Sequence, residues 1–144
     1  MRAASAVAAL LASVFGGTPA MAASTAVPVT RADVHVEPIT AETLKPPECA
    51  GISLTAVVIG SGTVGGTGAN ELVLGGSGAD TISAGSGTDC VVAGGGGDIV
   101  NGQGDADVLL GGPGTDALNG GLGTDACYGG PDLDTFVSCE SETQ

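Results

Sequence analysis

The chain has 144 residues, enough for one small domain, but no Trp, one Tyr and two Phe leave little material for a conventional globular core. Sixteen acidic residues stand against three basic ones, and no Lys or Arg follows Lys45. That balance excludes nucleic acid, whose phosphates need basic partners, and anionic membrane surfaces; it favours cations.

Residues 1–22 read as a Sec-type signal peptide. Arg2 is the sole early charge, an apolar run of small residues follows, and Ala20-Met21-Ala22 supplies an A-x-A cleavage site. The apolar run is too short to span a bilayer, so the expectation is a secreted, extracellular protein with no membrane insertion. Residues 23–48 carry Pro28, Pro38, Pro46 and Pro47 with little apolar periodicity, which predicts a flexible linker. His35, the single histidine, falls there between Asp33 and Glu37. It reads as a solvated side chain, without the packed scaffold that a catalytic triad requires. Residues 49–65 contain the β-branched run I-S-L-T-A-V-V-I, which predicts one strand capping whatever follows.

From residue 66 to residue 137 the chain repeats every nine residues. Asp80, Asp89, Asp98, Asp107, Asp116, Asp125 and Asp134 form an unbroken ladder, and Glu71 extends it by one step. Gly76, Gly85, Gly94, Gly112, Gly121 and Gly130 sit four residues before a ladder aspartate, and Gly78, Gly87, Gly96, Gly114 and Gly123 sit two before. Ile82, Val91, Val100, Leu109, Leu118, Cys127 and Phe136 come two after. The unit is G-G-x-G-x-D-x-U-x, with U apolar. Repeats this short cannot fold singly and must stack as a solenoid. Residues 138–144 leave the pattern and are expected to cap the far end.

Each unit divides into six turn residues and a three-residue strand whose middle side chain points inward. The flanking positions are mixed in character, as an exposed or half-exposed face permits. Successive turns reverse the chain, so two units make one coil, and alternate units stack in parallel. One edge then carries Asp80, Asp98, Asp116 and Asp134; the other carries Glu71, Asp89, Asp107 and Asp125. Carboxylates stacked at the inter-strand spacing repel one another unless protonated or bridged by a cation. Paired carboxylates with glycine carbonyls make a hard, oxygen-only site, which suits Ca²⁺ over Mg²⁺ and over metals that prefer His or thiolate. Up to about six ions are expected from the pairs in the two rows.

The four cysteines, an even number, suit disulfides in an exported protein. Cys127 and Cys139 are close in sequence and flank the last repeat, which favours that pair and leaves Cys49 for Cys90, although three pairings are possible. No C-x-x-C or histidine cluster suggests zinc.

These units resemble the RTX, or haemolysin-type, calcium-binding repeat. The flanks C-A-G…V-V-I-G-S-G-T and D-A-C-Y-G-G-P-D-L-D-T-F-V-S-C-E look like those of small exported actinobacterial-type members. The resemblance implies an all-β, right-handed parallel β-roll, with Ca²⁺ held between adjacent coils by the sixth-position aspartates and by glycine carbonyls. Some positions depart from the pattern. Gln103 replaces a second-position glycine, and Asp105 and Asp132 replace fourth-position glycines. Those aspartates either add ligand oxygens or distort turns that need positive φ. Glu71 is longer than Asp, which leaves the first site weak or empty. An N-terminal Sec-like signal stands where many members have a C-terminal export signal, and no separate catalytic domain is expected. The function implied is that of a secreted calcium-binding protein that folds on binding Ca²⁺, not an enzyme. The alternative is a calcium-stiffened surface or matrix adhesion protein, whose protein or polysaccharide partner the sequence does not name.

Overall fold

A computed structural model describes residues 39–144. The expected signal peptide, the first part of the expected linker and His35 lie outside the described residues.

One row of strands comprises β1 (Ala56–Ile59), β3 (Glu71–Leu74), β5 (Cys90–Val92), β7 (Val108–Leu110), β9 (Ala126–Tyr128) and β11 (Ser141–Thr143), stacked in that order in a parallel sheet. A second parallel sheet runs through β2 (Thr63–Gly65), β4 (Thr81–Gly85), β6 (Ile99–Gly104), β8 (Ala117–Leu122) and β10 (Thr135–Val137). The chain alternates between the sheets at every turn. Val73 pairs with Val91, Val91 with Leu109 and Leu109 with Cys127; in the other sheet Val64 pairs with Ile82, Ile82 with Val100, Val100 with Leu118 and Leu118 with Phe136. Each step spans two nonapeptides, so a coil is two repeats, and the fold is the expected parallel β-roll. The two end strands break this register. Ala56 pairs with Glu71 and Ser141 with Ala126, each three residues short of a full coil.

The core lies between the sheets and is one side chain thick. Val64, Val73, Ile82, Val91, Val100, Leu109, Leu118 and Cys127 are buried in file, with Ala84 and Ala93 beside them and Phe136 half-buried at the end. An apolar residue at every strand centre is enough to fill the narrow space between the sheets.

The flanking strand positions do not share one character, which corrects the expectation of a mixed, exposed face. On the first sheet they are apolar. Leu72 and Cys90 are wholly buried, and Leu74, Val92, Val108 and Leu110 are packed partly under cover. Their cover is the chain before the repeats: Ala41, Cys49, Ile52 and Leu54 join the same cluster. The later part of the expected linker is therefore folded. Helix α1 (Ala41–Leu44) is capped by reciprocal Thr40 and Thr43 hydrogen bonds, and a 3-10 turn follows at Pro47–Cys49. Lys45 Nζ donates to the Ile52 carbonyl and to Glu42 Oε2, both at 2.6 Å. Glu42 Oε1 accepts from the Leu54 amide at 2.5 Å. A Cys49–Cys90 disulfide ties this cover to β5. The strand expected across 52–59 forms only at Ala56–Ile59, because Ile52 and Leu54 turn onto the sheet's outer face.

Candidate metal centre

The ladder carboxylates are the most unusual buried groups in the molecule. Asp80, Asp89, Asp98, Asp107, Asp116 and Asp125 and the extending Glu71 are all buried, none more than 3% exposed, while Asp134 near the end is half-buried. An aspartate in the interior must be hydrogen-bonded, protonated or bound to a cation. Half of each carboxylate is accounted for by the coil before it. The Glu71 amide donates to Asp89 Oδ1 at 2.7 Å, and the Asp80, Asp89, Asp98 and Asp107 amides donate to Oδ1 of Asp98, Asp107, Asp116 and Asp125 at 2.8 Å. The Asp116 amide reaches Asp134 Oδ1 at 2.7 Å. These bonds place Asp80, Asp98, Asp116 and Asp134 along one edge and Glu71, Asp89, Asp107 and Asp125 along the other.

The other half is not accounted for. Oδ2 of Asp89, Asp98, Asp107, Asp116 and Asp125 is buried and has no hydrogen-bond partner. The first two rungs differ. Glu71 Oε2 accepts from the Thr67 amide at 2.8 Å, and Asp80 Oδ2 from the Gly76 amide at 2.7 Å. At the far end Gln144 Nε2 donates to Asp134 Oδ2 at 3.4 Å.

In the later units the first residue is a glycine that lies against the free oxygen, whereas the units of Asp89 and Asp98 begin with the buried Ala84 and Ala93. A methyl group on Gly102 would lie 2.4 Å from Asp107 Oδ2 and 2.5 Å from the Gly120 carbonyl of the next coil. On Gly111 it would lie 2.3 Å from Asp116 Oδ2 and 2.8 Å from the Gly129 carbonyl. Gly102 and Gly111 thus let a carboxylate and a carbonyl of the next coil approach each other with no side chain between them. Ca²⁺ binds oxygens at about 2.3–2.6 Å, usually six to eight of them. Among the described residues no three His, Cys, Asp or Glu side chains converge on one point, so backbone carbonyls would have to complete a shell. The donor set is oxygen throughout, and it fits Ca²⁺.

The glycines expected as carbonyl donors have a further role. Gly85, Gly87, Gly94, Gly96, Gly112, Gly114, Gly121 and Gly123 have positive φ, whereas Gly76 and Gly78, in the first regular turn, do not. A methyl on Gly94 would stand 1.9 Å from the Gly76 carbonyl, and one on Gly114 1.8 Å from the Gly96 carbonyl. These residues let consecutive turns lie in contact, which brings the carboxylate rows to coil spacing. Gln103, Asp105 and Asp132 adopt the same positive φ as the glycines they replace, so the turns keep their shape. Asp105 Oδ2 accepts from the Gly87 amide at 3.0 Å. The first-position glycines Gly102, Gly111, Gly120 and Gly129 were not among the sequence candidates, although the leading G of the repeat marks them.

Burial sets the acidity of the rows. It pushes the Asp107 carboxyl up to about 7, with the charges of Asp89, Asp125 and Asp105 acting in the same direction against the Asp89 amide hydrogen bond. Burial likewise raises Asp89 to about 6, with Glu71 and Asp105 adding to it against the Glu71 amide. Asp116 and Asp125 are raised for the same reason. Groups held in this way bind either a proton or a metal ion. The remaining candidates, the cysteines, form two disulfides, Cys49–Cys90 and Cys127–Cys139, in the pairing favoured from the sequence.

A parallel roll with carboxylate rows along both edges defines a repeat protein built around cations. The RTX calcium-binding nonapeptide repeat, taken four copies at a time, matches residues 65–100 and again 101–136. The chain belongs to this family of calcium-binding repeat proteins. No curated protein matches it, and no solved structure does.

Proposed function

We propose that this chain is an exported calcium-binding module whose β-roll folds as Ca²⁺ enters between stacked turns. The observation that carries this reading is the set of five buried carboxylate oxygens without a partner. Unpaired buried charge is costly, and a divalent cation bridging adjacent coils would turn each repulsive pair into an attractive one. Within the repeats the pairs Asp89 with Asp107, Asp98 with Asp116, Asp107 with Asp125, and Asp116 with Asp134 would hold the ions, each with a first-position carbonyl. The pairs headed by Glu71 and Asp80 would bind more weakly, since their own turns already supply amide donors.

Each site present at ten times its dissociation constant would add about 1.4 kcal/mol to folding. Several such sites approach the stability of a whole small domain, on the order of 5–15 kcal/mol. The two disulfides fit an oxidising compartment, and among the described residues no helix is long and apolar enough to cross a membrane. We read the chain as a binding module rather than an enzyme, with its interior carboxylates spent as ligands. Circular dichroism during Ca²⁺ titration, followed by chelator, tests the proposal. A strand signal should appear with Ca²⁺ and vanish with chelator, and Mg²⁺ should not replace Ca²⁺. A spectrum indifferent to Ca²⁺ would sink it.

A further inference from the structure

We infer that Asp125, Ser138 and Glu140 form one further Ca²⁺ site beyond the last nonapeptide, and that the Cys127–Cys139 disulfide is its clasp. The inference rests on the calcium reading above. Two of the three residues, Ser138 and Glu140, belong to no repeat, because the family match ends at residue 136.

Of the five orphaned oxygens, four belong to aspartates followed one coil later by another ladder aspartate. Asp125 is not; the residue a full coil on is Thr143. The chain nevertheless rebuilds the arrangement. Strand β11 pairs with β9 three residues short of the repeat register, Ser141 against Ala126. Glu140 therefore arrives opposite Asp125, where a ladder residue belongs. Its Oε2 accepts from the Asp125 amide at 2.7 Å, as Asp125 Oδ1 accepts from Asp107. The carbonyl also has a substitute. A methyl on Gly120 would lie 2.5 Å from Asp125 Oδ2 and 2.3 Å from the Ser138 carbonyl, matching the frame at Gly102. Asp125 is 1% exposed and its Oδ2 has no partner, so an unsatisfied buried oxygen lies beside Gly120 with the Ser138 carbonyl.

The opposite edge shows what a closed end looks like. There the row stops at Gln144, whose neutral amide donates to Asp134 Oδ2. At this end of the roll one edge terminates its row with an amide, the other with a second carboxylate. Only the second arrangement calls for a cation.

Cys139 sits between Ser138 and Glu140 and is bonded to Cys127, a core residue of β9. Ser138 holds a positive φ of 51°. The Glu140 and Ser141 amides donate to the Asp125 carbonyl at 3.0 and 3.1 Å, and the disulfide adds the one covalent tie at Ser138 and Glu140, so the site should be sensitive to reductant.

Calorimetric Ca²⁺ titration of the full oxidised chain tests this. Glu140→Gln keeps an oxygen acceptor for the Asp125 amide and removes only the charge. It should lose one equivalent of Ca²⁺, or weaken one equivalent at least tenfold, with the circular dichroism of the loaded protein unchanged. The double variant Cys127→Ser/Cys139→Ser should lose the same equivalent, and combining it with Glu140→Gln should remove no further one. Glu140→Gln protein that binds the wild-type number of ions at wild-type affinity would overturn the inference alone. Wild-type protein that takes up no Ca²⁺ would overturn the calcium reading, and this inference with it.

Discussion

Backbone sign decides what single residues contribute to the turns. Gln103 has φ of 83° and Asp105 has φ of 71°, in a region that costs an ordinary L-residue roughly 1–2 kcal/mol. Aspartate tolerates the left-handed region better than most residues, and Asp105 also gains the Gly87 amide. Gln103 has no such compensation. Gln103→Gly should stabilise the Ca²⁺-loaded protein by about 0.5–1 kcal/mol once the extra freedom of unfolded glycine is deducted, seen as a higher melting temperature. The converse change is severe. Gly114 has φ of 137° and no room for a methyl beside the Gly96 carbonyl. Gly114→Ala should cost on the order of 3 kcal/mol or more, from strain and clash together, and thermal melts of the two variants should move in opposite directions.

At the scale of elements, the two sheets present different outer faces. The first shows Leu72, Leu74, Cys90, Val92, Val108 and Leu110; the second shows Thr81, Ser83, Asn101 and Asn119, where Asn119 Nδ2 donates to Asn101 Oδ1 at 3.1 Å. The apolar face requires cover, which α1 and residues 49–54 supply, and the Cys49–Cys90 bond closes a loop of 41 residues over it. Cys49→Ser/Cys90→Ser should lower stability by about 2–4 kcal/mol and expose the face to a hydrophobic dye, while Ca²⁺ stoichiometry stays unchanged. Chain folding was legible in the sequence because a constant period fixes register: strand centres, coil length and the two carboxylate rows all follow from the nine-residue step. The sided outer faces were not read, since pooling all flanks averages alternate units into a mixed character. Sorting Leu74, Val92 and Leu110 apart from Ser83, Asn101 and Asn119 would have separated them. The cover and Glu140 escaped for a different reason. Both lie off the period, so only tertiary pairing reveals that Glu140 continues a row.

The whole molecule behaves as two acidic rows whose protonation and metal binding compete. Asp89 and Asp107 titrate at about 6 and about 7 in the folded chain, above the ordinary value of 3.8. Between these limits the folded state holds protons that the unfolded state has released, so metal-free stability rises as pH falls from about 7 toward 4. Thermal melts in chelator should give a higher midpoint at pH 5 than at pH 8; a flat or reversed profile would refute the assignment. Ca²⁺ must displace those protons, so its affinity should fall over the same acidification. The rows are also separate, because each carboxylate bonds only to coils on its own edge. Asp98→Ala removes the ligand shared by the Asp80 and Asp116 neighbours and strands the buried Asp80 amide, a loss of about 1–3 kcal/mol apart from the metal. Asp116→Ala does the same one coil on, for the Asp98 amide and Asp134. Calorimetry on either variant should show two adjoining sites impaired while those of Asp89, Asp107 and Asp125 still fill. Loss confined to that second row would contradict the two-repeat coil, because sequence neighbours such as Asp89 and Asp98 would then share an ion that this register keeps on opposite edges.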